Sequence, residues 1–140
     1  MHINISMTWT YGIKTFESED IGEHHGFVYL ITNMANGRKY VGKKWFWSSR
    51  KKKIKGKKRA KRVKLESDWQ DYYGSSAELQ ADVEKYGKEA FRREILVLCR
   101  TKGDASYHEA RLQFEMRVLE SDEYYNSWII CRVRKNHISR

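Results

Sequence analysis

Residues 26–50 read GFVYLITNMANGRKYVGKKWFWSSR, and the fold is decided there. Two β-prone runs, residues 27–31 (FVYLI) and 39–42 (KYVG), flank Asn36-Gly37. An Asn-Gly pair between such runs is the strongest short-range signal for a β-hairpin. The hairpin puts Tyr29 and Tyr40, eleven positions apart, on adjacent strands. A cationic segment follows at once. Tyrosines beside a phosphate-seeking patch point toward nucleic-acid chemistry.

That segment carries the chain's whole charge imbalance. The 140 residues hold 28 basic and 18 acidic side chains, a net charge of +10. Residues 50–64 contain eleven Lys or Arg and no acid, so removing them leaves 17 basic residues against 18 acidic ones, a net of −1. Such a local excess is the signature of a phosphate-binding arm, because each neutralised phosphate releases condensed counterions. Lys43, Lys44, Lys51, Lys52, Lys53, Lys55, Lys57, Lys58, Arg59, Lys61 and Arg62 are the expected DNA contacts. A solvated basic loop or a localisation tract is the plainer reading of the same charges. With Gly56 inside it and no helical stripe, the arm is expected to be a long loop or a helix ordered only on nucleic acid.

Composition narrows the class. An apolar content of 40% with 14% aromatics describes one folded domain with a real core. No apolar run approaches the roughly 20 residues that cross a bilayer, so no membrane partner is expected. The N-terminus lacks the basic and apolar regions of a secretory signal. Cys99 and Cys131 lie in apolar contexts without ligand spacing, which predicts buried free thiols, a reducing intracellular setting and a cytoplasmic location. His24 and His25 have no second ligand pair spaced to match them.

Elsewhere the pattern alternates strand and helix. Trp9, Tyr11, Ile13 and Phe16 nearly alternate and predict an edge strand. Trp45, Phe46 and Trp47 cannot all face one core, so at least one is exposed or covered by the arm. Ser75 and Glu78 form a capping box that opens a helix through Leu79, Val83 and Tyr86, stopped by Gly87. The run FRREILVLC at 91–99 is a central strand. After a turn at 101–104, Ser106 and Glu109 form a second capping box for a helix reaching Leu119 and ending near Ser121-Asp122. Trp128-Ile129-Ile130-Cys131 adds a short closing strand. In that last helix Glu115 lies three positions after Leu112 and four before Leu119, on the face of the core residues. A carboxylate there is costly unless it is paired with an arginine or bound to a metal. The capping box accounts for Glu109, and His108 is a surface residue of the first turn.

Five of these positions together resemble the GIY-YIG nuclease family. Tyr29 in Phe27-Val28-Tyr29 and the triplet Tyr40-Val41-Gly42 match the two halves of its signature. Arg50, ten residues past Tyr40, falls where the family carries an arginine on its first helix. Glu115 resembles the metal-binding glutamate of a later helix, and Asn126 the asparagine of the Tyr-Asn pair that follows it. The run Gly42-Lys43-Lys44-aromatic, the basic insertion, and Asp68-Trp69 with Tyr72-Tyr73-Gly74-Ser75-Ser76 look like small phage-encoded, homing-type members. The sequence departs from the pattern in the first triplet and at Ile54, where many relatives carry a His or Tyr. Tyr72 or Tyr73 can substitute there, and Lys44, Arg59 or Arg62 can reach the phosphate assigned to Arg50.

The resemblance implies an α+β fold, a small antiparallel sheet of about three strands flanked by helices, with the basic insertion at about 50–64. Residues 1–25 would be an N-terminal extension, 26–131 the nuclease domain and 132–140 a basic tail. It implies metal-dependent hydrolysis of DNA, with Glu115 holding one Mg²⁺ (or Mn²⁺). Arg50 would neutralise the phosphoryl group, and Asn126 would orient Glu115 or the hairpin. Tyr29, with Tyr40 nearby, would activate water, its phenolate favoured by surrounding cations. Site specificity would come from the arm, the N-terminal residues or homodimerisation. The location would be a host cytoplasm if the chain is phage-encoded. A non-catalytic DNA- or RNA-binding protein is the competing reading.

Overall fold

The computed structural model describes residues 7–52, 55–56 and 61–138, with every side chain among them except those of 50–52 and 61–62. At its centre is the expected hairpin, β3 (Gly26–Asn33) and β4 (Lys39–Trp45), with β7 (Phe91–Cys99) on the other side of β3. Only Leu30 among the eight residues of β3 is not buried. Covered on both faces, this strand reads as a continuous apolar run. Two further strands, β1 (Thr10–Tyr11) and β2 (Lys14–Thr15), complete a five-stranded sheet in the order β2-β1-β7-β3-β4. β1 runs parallel to β7 and all other pairs are antiparallel. The sheet is therefore mixed and wider than the three-stranded antiparallel one expected. Strands of two residues are too short to show a period, and only their flanking aromatics mark them.

The two faces differ in chemistry. One carries an aromatic core of Trp9, Phe27, Tyr29, Phe46, Trp69 and Phe91, under α1 (Ala77–Tyr86). Its rings meet edge to face, Trp9 with Phe27 at 5.0 Å and Phe46 with Trp69 at 5.1 Å, the arrangement their quadrupoles favour. The N-terminal residues belong to this core: Trp9, Phe16 and Ile21 are buried, and the Trp9 indole donates to the Trp69 carbonyl at 2.8 Å. Arg93 is buried with them, its guanidinium 4.1 Å from the Tyr73 ring and donating to the carbonyls of Gln70, Tyr72 and Met7. The opposite face packs Val28, Val41 and Cys99 against α2 (Lys102–Glu115) through Ala105 and, just beyond the helix, Val118.

Three expectations are corrected here. The last helix starts at a Thr101 cap, whose hydroxyl accepts from the Asp104 N–H at 3.0 Å, and ends at Glu115. Ser106 and Glu109 are consequently interior helix positions, not a capping box. Residues 128–131 form no strand: Ile129 packs on the α2 face while Trp128, Ile130 and Cys131 are exposed. The first helix is capped by Ser76, one position later than expected.

The basic arm is built on a second sheet. β5 (Trp47–Lys52) pairs antiparallel with β6 (Lys61–Glu66), placing Arg50 opposite Val63 and Lys52 opposite Lys61. The expected loop or inducible helix is thus a β-hairpin at its base. Lys55 is exposed, whereas Lys53, Lys57, Lys58 and Arg59 lie outside the described residues. Lys64 covers Trp47, with its ammonium 4.8 Å from the ring, while Phe46 is fully buried and Trp45 packs on the α2 face.

Candidate active site

The polar groups of greatest interest gather along the outer edge of β4. Residues 123–125 run beside its start, where the Lys39 N–H donates to the Glu123 carbonyl and the Tyr125 N–H to the Lys39 carbonyl. One pleat further on, side chains take over from main chain. The Asn126 carboxamide accepts from the Val41 N–H at 3.0 Å and donates to the Val41 carbonyl at 2.8 Å. Gln113 of α2 donates to that same carbonyl at 2.9 Å. The next outward N–H, that of Lys43, donates to the Glu109 carboxylate. Asn126 and Glu109 therefore satisfy backbone groups that a neighbouring strand would otherwise occupy.

These residues open onto a cavity of about 530 Å³ lined by Tyr40, Lys43, Ser75, Glu109, Gln113, Asn126, Trp128 and Ile130, among others. Successive β4 residues point to opposite faces, so Lys43 approaches Glu109 on the α2 side while Tyr40 meets Ser75 from the other side. Lys43 Nζ lies 3.2 Å from both the Glu109 carboxylate and the Ser106 hydroxyl. The Glu109 side chain is 16% exposed. Burial pushes its carboxyl above the ordinary range, against the opposing pull of the Lys43 ammonium and its hydrogen bonds.

The register sets Tyr29 opposite Gly42 and Tyr40 opposite Ile31, and the two tyrosine rings share a face with centroids 6.1 Å apart. Gly42 is required by this contact: a Cβ there would lie 2.5 Å from the Tyr29 hydroxyl oxygen and 3.0 Å from the Tyr40 ring. Tyr29 is 1% exposed. Its hydroxyl is pushed well above its usual range, by burial first and then by Tyr72, with which it shares a hydrogen bond, and Tyr40. Burial also raises Tyr40, although its contact with the Ser75 hydroxyl at 3.1 Å works the other way. The expectation that cations favour a phenolate is reversed, because burial dominates and the Glu109 carboxylate adds to it. Of the two proposed substitutes, Tyr72 stands beside Tyr29 at 5.9 Å, and Tyr73 is buried against Arg93.

Glu115 is elsewhere. Its side chain is 57% exposed and pairs with Arg111 one helical turn earlier at 3.0 Å. The helix ends at Glu115, so Leu119 lies beyond it and is exposed, and Leu112 is only half-buried; the apolar face inferred for Glu115 does not hold. Arg50 lies on β5 rather than on a helix, its side chain outside the described set, and α1 contains no arginine. Lys44 turns away from the cavity, bonded to Asp68 at 2.7 Å with its ammonium over the Tyr72 ring. Of the five expected site residues, Tyr29, Tyr40 and Asn126 come together. Glu109, Gln113 and Lys43 join them. The missed signal was a polar stripe at helical spacing, Ser106, Glu109 and Gln113, which faces β4.

Among the described residues no three His, Cys, Asp or Glu side chains gather to hold a metal. A single shielded carboxylate nevertheless suits Mg²⁺, which binds through one or two carboxylates, substrate phosphate oxygens and retained water.

A family model described as "Putative endonuclease segE, GIY-YIG domain" matches residues 9–129. A curated relative, "Putative endonuclease segE" of Enterobacteria phage T4, is 31% identical over 101 residues, which are 71% of this chain and 39% of the relative. The chain thus spans about two-fifths of that relative's length. No solved structure matches significantly. No described helix is long and apolar enough to cross a membrane.

Proposed function

The chain belongs to the segE-type GIY-YIG domain family, and from that premise we propose that it is an endonuclease hydrolysing DNA phosphodiester bonds at the edge of β4. The observation that carries this reading is the Glu109 carboxylate, shielded in a cavity that also holds Tyr40, Lys43 and Asn126. Glu109, rather than Glu115, is the residue that would hold one divalent cation, Mg²⁺ or Mn²⁺, which when bound polarises the scissile phosphate and stabilises the departing oxygen.

The chain's own residues divide the remaining work. Lys43 supplies the cation nearest the cavity, replacing Arg50 as the group that offsets charge on the phosphoryl oxygens. Tyr40, half-buried and still reaching the cavity, orients the attacking water through its hydroxyl. A phenol whose proton is held more tightly than usual hydrogen-bonds water but does not deprotonate it at neutral pH. Tyr29 supports Tyr40 and Tyr72 from within the core. Asn126 and Gln113 fix Val41, and with it the direction of its neighbours Tyr40 and Gly42. The basic β5-β6 hairpin grips the DNA backbone through Lys51, Lys52, Lys55, Lys61, Arg62 and the arm residues between them.

The test is nicking of supercoiled plasmid in Mg²⁺ by the intact chain, by Glu109→Gln and by Glu115→Gln. Glu109→Gln is expected to abolish nicking and Glu115→Gln to retain it. The opposite pattern refutes the assignment, and metal-independent binding without any cleavage leaves a nucleic-acid-binding protein.

A further inference from the structure

We propose that Trp128 receives one unstacked base of the nucleotide adjoining the cleaved phosphate, which makes it a substrate-selecting residue. The inference rests on reading the β4-edge cavity as the DNA site. Five tryptophans occur in the chain. Trp9 and Trp69 are fully buried, and Trp45 and Trp47 are half-buried. Trp128 is 65% exposed and lines the cavity that contains Tyr40, Lys43 and Glu109. Among the described residues its indole has no aromatic partner, no cation over its face and no hydrogen bond.

The main chain that carries the ring is held in place although the ring packs on little. Two residues before it, Asn126 is fastened to Val41 by two hydrogen bonds, and immediately after it Ile129 is packed into the α2-face core. An anchored main chain thus presents a large flat apolar surface to solvent at the mouth of a polar cavity. Ile130, 66% exposed, adds a second apolar wall. A nucleic-acid base has the matching chemistry, a flat π face whose phosphate on the same nucleotide can reach Lys43. Bases inside a duplex are stacked on their neighbours and have no free face to offer. The substrate class that fits is therefore DNA unpaired or readily opened at the cut, as at a mismatch, branch or single-stranded end.

The experiment measures binding without cleavage. Fluorescein-labelled oligothymidylate and a duplex of equal length are titrated in EDTA against the intact chain, Trp128→Ala and Trp128→Phe, following anisotropy and tryptophan emission. Thermal melts verify that the exposed substitution leaves the fold intact. Oligothymidylate should quench the intact chain's emission, and Trp128→Ala should weaken its binding about 5- to 150-fold, the range carried by one stacked base. Trp128→Phe should restore most of that loss, and duplex affinity should change little. Unchanged oligothymidylate binding by Trp128→Ala, or an equal loss on duplex and single strand, overturns the proposal. The outcome is separate from that of the nuclease reading. Failure of any variant or the intact chain to nick plasmid would not alter these binding curves, whereas Glu109→Gln reports on nicking alone.

Discussion

Substituting Asn126 by alanine removes the one side chain that completes both hydrogen bonds of Val41. The Val41 N–H has no other acceptor among the described residues, while its carbonyl keeps the Gln113 donor at 2.9 Å. Val41 is fully buried, so the variant strands a buried donor, which costs about 1–3 kcal/mol. Gln113→Ala removes only the second donor to a carbonyl that Asn126 still serves, and its expected cost is lower, about 0.5–1 kcal/mol. The double variant leaves both groups unpaired, so it should exceed the sum of the singles by at least about 0.5 kcal/mol. Urea unfolding of the four proteins measures these values, and for a chain of this size each 1 kcal/mol corresponds to roughly 4 °C in Tm. Two results would refute the reasoning: Gln113→Ala costing as much as Asn126→Ala, or a double variant that is simply additive.

Other outcomes follow from the same geometry. Gly42→Ala drives a methyl into the hydroxyl of Tyr29, a side chain only 1% exposed, so urea unfolding should register a loss of about 1–3 kcal/mol, with a fall in nicking as Tyr40 is displaced. Burial holds the folded pKa of Glu109 above its ordinary 4.5, so the stability tied to its protonated form is complete below that value and lost as pH rises through the folded pKa. Glu109→Gln should accordingly gain stability relative to the parent chain as pH increases across that window, and a flat difference would contradict the shift. If ionised Glu109 is needed for cleavage, the acid limb of kcat/KM lies above the usual carboxylate range, and Lys43→Met moves it higher still. Shortening the arm between β5 and β6 should reduce the slope of log Kd against log salt for duplex DNA, and an unchanged slope would place the phosphate contacts elsewhere.

What could be read in advance depended on whether the deciding interaction was local. The hairpin was legible because Asn36-Gly37 and the two β-prone runs sit side by side, and β7 because its apolar run is continuous. The start of α2 was not. Thr101 with Asp104 and Ser106 with Glu109 are both capping patterns, and Lys102-Gly103 resembles a turn. The choice is tertiary: a Cβ at position 103 would lie 2.6 Å from the His137 side chain, so the glycine serves a close approach rather than a helix break. The face that α2 buries carries Ala105, Ala110 and Gln113, small or polar residues that leave no apolar stripe to read, and so the roles of Glu109 and Glu115 were exchanged. Strand pairing in the arm was hidden because β5 holds one apolar residue, Trp47, and the alternation of β6 amounts to Val63 and Leu65 among charged neighbours. Cys99 is buried as expected, its thiol pushed up to about 12, but Cys131 is exposed because the closing strand does not form.

The lining of the β4 edge has a consequence outside chemistry. An exposed outer strand is a template on which another chain can add, and here that template is blocked by residues 123–125, Asn126 and Glu109 in succession. The groups proposed for cleavage are therefore also the molecule's guard against self-association. Variants made to silence the site, Asn126→Ala above all, leave the hydrogen-bonding edge of β4 at Val41 without its guard. They should be handled as aggregation-prone proteins, with light scattering recorded alongside every activity measurement.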